Sequence, residues 1–325
     1  MNQVPKINDQ CKAMGNVSTN VLYIAGFGRS GSTLIDRLLN EVDGYCALGE
    51  FARFVWTRGL KENQLCGSGD PFRESSFWRE VFHRAFGGME KVNPEEMIYM
   101  QRKVSRRRHL VQYISQSFIS SNLRDVLPKY IKKMDILCRS ISKVSGAKVL
   151  GDTSKRPLEG FILSQLPSVK VHVLHLVRDA RAVAFSWQRK KRRAEITGKK
   201  VYMPQIEPSK TARKWMSRNI LVHSFQSKRV AYHRIRYEDM VQAPQECLRD
   251  VIRFIGLDKE APEFGPRNDI ELGPNYMISG NPTRFQKGVI QVIPDESWER
   301  RMSPLHKRSV EMITLPLMLK YGYVL

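Results

Sequence analysis

The chain has 325 residues and carries 54 Lys and Arg against 32 Asp and Glu, a formal net charge of +22. Its length suits one large α/β domain or two small ones, and a hydrophobic fraction of 42% is that of a globular protein with a full core. The charge calls for anionic partners: nucleotides, sulfated or phosphorylated substrates, nucleic acid or an acidic membrane surface, with a merely solubilising basic surface as the alternative.

Residues 1–20 read as a polar, flexible tail without the apolar core of a signal peptide. The apolar run Val21–Ala25 reads as a strand, and Gly26–Thr33 (G-F-G-R-S-G-S-T) as a glycine-rich turn opening a helix over about 32–41. The spacing is that of a phosphate-binding loop, except that Ser32 stands where an ATP-using loop carries lysine. The backbone cradle and helix N-terminus for an anion remain. The cation, Arg29, sits inside the turn instead.

Ala47–Gly49 is a short apolar segment ending at Glu50, and residues 51–59 return as helix. Residues 60–73 read as loop, and 74–145 as several helices without a strand, so that 60–145 forms a helical insertion in an α/β pattern. Strands resume at 148–151 and at 169–177, the latter a near-continuous apolar run typical of a buried parallel strand. Helices are expected at 179–191, 209–229 and 245–256, with a strand at 229–235 between the last two. Residues 259–298, rich in Gly, Pro and Asn, read as irregular, and the last helix, about 303–319, as interrupted near Pro316.

This alternation predicts an α/β fold: a P-loop-like, mainly parallel sheet flanked by helices, as a single domain over 21–325. Ligands of such sheets sit beyond the carboxyl ends of the strands. Those ends carry the 26–33 loop, Glu50, the stretch Asp152–Pro157, Arg178-Asp179 and Arg236–Asp239. Together they form a basic rim suited to a polyanionic nucleotide.

The loop, together with His175–Trp187 (H-L-V-R-D-A-R-A-V-A-F-S-W), resembles the sulfotransferases that use 3′-phosphoadenosine 5′-phosphosulfate (PAPS). The L-G-E and S-K-R-P segments resemble the Golgi-type and bacterial branches, tyrosylprotein sulfotransferases included. The resemblance implies that Gly28, Arg29, Ser30, Gly31, Ser32 and Thr33 hold the 5′-phosphosulfate. It implies that Arg178 and Ser186 hold the 3′-phosphate, with Lys190 adding to that site and Tyr237 touching the nucleotide. A late loop over 279–288 would close on the 3′-phosphate and adenine through Arg284 and Lys287.

Chemistry assigns Glu50 as the base that takes the acceptor's proton, and Lys155, with Arg29 beside it, as stabiliser of the leaving oxygen. Structural alternatives stay open: Glu50 as a helix-starting acid, Lys155 as a solvated residue, Arg178 paired with Asp179 or Glu159, Tyr237 as packing. The expected reaction carries a sulfuryl group to a hydroxyl acceptor, the basic charge favouring an anionic or sugar-containing one, and releases 3′-phosphoadenosine 5′-phosphate (PAP). The rivals are an ATP- and magnesium-dependent phosphotransferase and a non-catalytic nucleic-acid-binding protein.

No metal is required. His172 and His175, three apart on one strand, face opposite sides and make a poor metal pair. The five scattered cysteines include no C-x-x-C pair, which speaks against a zinc or redox motif and leaves a Cys46–Cys66 bridge open. The runs Arg106–Arg108 and Arg189–Arg193 lack a nucleic-acid-binding signature. No nucleic-acid partner, no transmembrane segment and a cytoplasmic location are the resulting expectations.

Overall fold

The computed structural model describes residues 19–115, 121–193, 196, 200–227 and 230–323. Of the expected tail, only Thr19 and Asn20 fall among them, and they begin the first strand. In chain order the elements are β1 (Thr19–Gly26), α1 (Ser32–Leu39), β2 (Tyr45–Ala47) and α2 (Phe51–Phe54). Then come α3 (Ser76–Phe86), α4 (Pro94–Val104), α5 (Leu110–Ser115), α6 (Ser121–Arg124) and α7 (Leu127–Ser145). They are followed by β3 (Val149–Lys155), α8 (Pro157–Leu163), β4 (Val169–Val177), α9 (Ala180–Gln188), α10 (Pro208–Val222) and β5 (Ala231–Arg236). The C-terminal part holds α11 (Tyr237–Gln242), α12 (Pro244–Phe254), β6 (Asp269–Leu272), β7 (Gly288–Gln291), α13 (Ser297–Arg301) and α14 (Pro304–Lys320).

The main sheet has five parallel strands in the order β2-β3-β1-β4-β5. β1 lies at its centre and is buried on both faces: Val21, Tyr23 and Ala25 join one apolar cluster, Leu22 and Ile24 the other. The period-2 side-chain alternation of a strand divides them so. The first cluster takes in Trp56, Phe72, Trp78 and Phe82 on the connection from β2 to β3, together with Phe161 of α8. The second is closed by Ile35 and Leu38 of α1 and by Leu248 and Ile252 of α12. Helices α1 and α8 thus cover opposite faces, and the connections change sides at β1, where such sheets open a ligand crevice.

Several elements differ from their expected bounds. β3 runs to Lys155, well past 151, so Asp152, Thr153 and Ser154 are strand residues; the register against β1 shifts between Tyr23 and Ala25. β2 ends at Ala47 rather than beginning there. The helix after Glu50 makes one α turn and then widens into a π-helix over Val55–Lys61. The 259–298 stretch contains the antiparallel pair β6–β7. α14 continues through Pro316 without a break. Cys46 and Cys66 are both free thiols, which closes the question of a bridge between them.

Candidate active site

The glycine loop leaves β1 at Gly26 and enters α1 at Ser32. Gly31 has φ +89° at the helix N-cap, a left-handed conformation open to glycine. A Cβ there would overlap the Tyr237 ring, which packs against the turn. Trp187 of α9 supports the loop from another side: its Nε1–H donates to Gly28 O at 3.2 Å, and a Cβ at Gly28 would lie 3.0 Å from its ring. The Leu34 and Ile35 amides both bond Gly31 O. The amides before them start a helix, where no intrahelical acceptor exists. Within the turn, Ser30 Oγ is buried without a partner.

Arg29 holds φ +74°, which is uncommon for a residue with a Cβ. Its guanidinium lies 5.0 Å from the Trp187 ring centroid. Burial lowers its pKa against the opposing pull of Glu50.

Glu50 and Lys155 meet as an ion pair, Lys155 Nζ to Glu50 Oε1 at 2.9 Å, with side chains only 15% and 13% exposed. Lys155 also donates to Thr153 O at 2.7 Å, and its backbone is left-handed at φ +67°. Arg53 stands 3.6 Å from the other Glu50 oxygen. Burial pushes the Glu50 carboxyl up, but Lys155, Arg53 and Arg58 together outweigh it and hold the group below the usual carboxylate range. A solvated Lys155 is thereby excluded; Glu50 stands at the start of α2, as the structural alternative has it, but its side chain makes no cap bond there and faces Lys155 instead.

Arg178, at the end of β4, is 6% exposed. It pairs with neither Asp179 nor Glu159 in the way the sequence allowed. It donates to Arg29 O at 3.2 Å and to Asp295 O at 3.0 Å, and lies 3.5 Å from Asp295 Oδ2. Its guanidinium is 4.3 Å from the Tyr237 ring centroid, and its Nε is buried without a partner. Asp179 instead caps α9 and pairs with Arg181. Ser186 is buried on α9, whereas Lys190 is exposed with Nζ 4.2 Å from the Tyr202 ring centroid.

The late loop reaches the glycine loop through residues other than the expected ones. Asn281 N–H donates to Thr33 Oγ1 at 3.0 Å, and Glu50 N–H to Ser279 O at 3.4 Å. Arg58 donates to Ser279 Oγ. Arg284 is wholly buried and donates to the carbonyls of Gly280 and Leu65, while Lys287 donates to Ser68 O. These two cations fasten the late loop to the 65–68 turn. Sequence reasoning missed Arg53, Arg58, Ser279, Asn281 and Asp295; each acts through a contact distant in sequence or, for Arg53, as one more arginine in a basic chain.

One cleft of about 550 Å³ opens beside Arg178, lined by Arg236, Tyr237, Asp295 and Trp298 among others. A larger concavity, about 860 Å³, lies on the helical stretch against Arg73, Arg79 and His83 and touches none of the loop residues. The chemistry-bearing groups lie at the strand ends, so we place the site there. No described helix is long and apolar enough to cross a membrane.

A family model described as "Sulfotransferase family" matches residues 22–261. Among solved structures, the sulfotransferase domain from the curacin biosynthetic pathway is 16% identical, with 96% of this chain and 100% of that domain covered and a TM-score of 0.49. The sulfotransferase domain from the Synechococcus PCC 7002 olefin synthase is 19% identical, with coverages of 97% and 98% and a TM-score of 0.47. No curated protein matches the chain.

Proposed function

The chain belongs to the sulfotransferase family, and from that premise we propose that it transfers the sulfuryl group of PAPS to a hydroxyl acceptor and releases PAP. The observation that carries this reading is the buried Glu50–Lys155 pair, set beside a glycine loop whose cation is Arg29. The donor's anionic groups suit the loop amides and two buried polar atoms that lack partners, Ser30 Oγ and Arg178 Nε. A bound anion would supply what those atoms lack.

In this reading the acceptor oxygen forms a bond to sulfur while the bond from sulfur to the phosphate oxygen breaks. The acceptor's proton passes to Glu50, which is ionised at neutral pH because its cations hold its pKa down. Lys155 and Arg29 stabilise the charge that collects on the departing phosphate oxygen. When Lys155 turns part of its charge to the donor, its hold on Glu50 weakens. Burial then makes the carboxylate more basic at the moment a proton must be taken.

Calorimetric titration tests the donor assignment, with PAP as ligand and ADP and 5′-AMP as controls, each with and without magnesium. Metal-independent binding of PAP well above both controls is expected. Preference for ADP with magnesium would replace sulfuryl transfer from PAPS by phosphoryl chemistry.

A further inference from the structure

A polar residue at a helix N-cap ordinarily accepts from the amides two and three residues further on. Glu50 occupies that position of α2 and leaves both amides alone. They are taken by β3 instead. Ala52 N–H donates to Asp152 Oδ2 at 2.6 Å, and Arg53 N–H to Ser154 Oγ at 3.2 Å. The other Asp152 oxygen accepts from Ser154 N–H at 2.7 Å, so that carboxylate is fixed at both ends. Asp152 and Ser154 are 1% and 0% exposed. On the far side of the turn, Asp36 of α1 accepts from Gly49 N–H at 3.2 Å.

We infer that Asp152 and Ser154 are positioning residues for the reaction: they cap α2 in place of Glu50 and so leave its carboxylate free to face Lys155. The inference rests on Glu50 acting as the base proposed above. Without the substitute cap, two amides at the positive end of the helix would compete for the nearest acid, and that acid is Glu50. Its carboxylate would turn back on its own helix and leave Lys155. The tetrapeptide Asp152–Lys155 thus supplies both the cap that releases the base and the cation that receives it. Neither Asp152 nor Ser154 need touch a substrate for this.

Turnover with PAPS and a competent hydroxyl acceptor, together with PAP affinity, tests the inference on Ser154→Ala and Asp152→Asn, each alone and in a Glu50→Gln background. Ser154→Ala removes a single acceptor and provides a folded test should Asp152→Asn fail to fold. The expected result is a fall in kcat of about 10-fold for Ser154→Ala and about 100-fold for Asp152→Asn, a partial and a nearly full loss at the lower end of the roughly 10²–10⁴-fold that general base catalysis supplies. PAP affinity should stay within about twofold, and Ser154→Thr, which keeps the hydroxyl, should restore kcat. With Gln at position 50, neither change should lower the residual rate further, because no base remains to be misplaced. A kcat near that of the parent in both single variants would overturn the inference, as would a full loss repeated in the Gln background. Near-normal turnover of Glu50→Gln alone would overturn the base assignment itself, and the inference with it.

Discussion

Replacing Lys155 by Met removes the main counter-charge of Glu50 while keeping most of the side-chain volume. Breaking a buried ion pair by deleting one partner costs about 3–5 kcal/mol. Here the side chains keep 13% and 15% exposure, and Arg53 remains 3.6 Å away. These reduce the expected loss to about 2–3 kcal/mol. Unfolding entropy of about 2.1 cal/mol/K per residue gives roughly 0.7 kcal/mol/K for a chain of this size, so the thermal midpoint should fall by about 3–4 °C.

The loss should depend on pH with a definite sign. In the parent, the Glu50 carboxyl lies below its ordinary value. Its contribution is therefore present above the unfolded pKa of about 4.3 and is lost as pH falls through the folded one. In Lys155→Met, burial prevails and raises the carboxyl, so ionising it costs stability as pH rises. The gap between the two proteins should be wide at neutral pH, narrow as pH falls, and close only below the lowered pKa of Glu50 in the folded parent. Scanning calorimetry at several pH values reads it directly. Glu50→Gln combined with Lys155→Met should recover much of the loss, since a pair replaced on both sides leaves no stranded charge. A gap independent of pH, or a double variant no more stable than Lys155→Met, would refute the reasoning.

Arg178→Ala should weaken PAP binding by about 2–5 kcal/mol, the cost of truncating one partner of a buried charge pair; calorimetry showing unchanged affinity would remove Arg178 from the nucleotide site. Gly31→Ala forces a Cβ into the Tyr237 ring at a left-handed backbone. It should cost about 1–3 kcal/mol of stability and reduce PAP affinity by at least about tenfold as the loop shifts, since each tenfold corresponds to about 1.4 kcal/mol. A melting curve and a titration check both.

The parts of the fold that the sequence announced are those set by local pattern. β1 carries the apolar run Val21–Ala25, β4 is a near-continuous apolar run, and the loop between β1 and α1 has fixed spacing. β3 was read short because Asp152, Thr153 and Ser154 look like a polar loop. Asp152 and Ser154 are tolerated as buried strand residues because their polar atoms find partners on α2 and within the strand itself, and composition does not show a partner 100 residues away. The β6–β7 pair escaped notice because four-residue strands among Gly, Pro and Asn carry too little periodicity. Arg178 was legible as a strand-end cation, but its tie to Asp295 spans 117 residues and has no local signature. Arg284 and Lys287 stand out in the sequence by their charge, but their bonds to carbonyls of the 65–68 turn and Gly280 have no local signature.

Four non-glycine residues among those described have positive φ, and two of them are the candidate cations Arg29 and Lys155. Each such conformation holds about 1–3 kcal/mol of strain that glycine would largely relieve. At Arg29, selection for robustness alone would favour glycine, and use of the charge opposes that drift; at Lys155 the relief is offset by the ion pair with Glu50, which glycine would break. A descendant of this chain that abandoned catalysis while keeping its shape should surrender Arg29 early, and Lys155 only together with Glu50, since either partner alone would be left as a buried unpaired charge. The pair is a built-in record of whether the lineage still practises its chemistry.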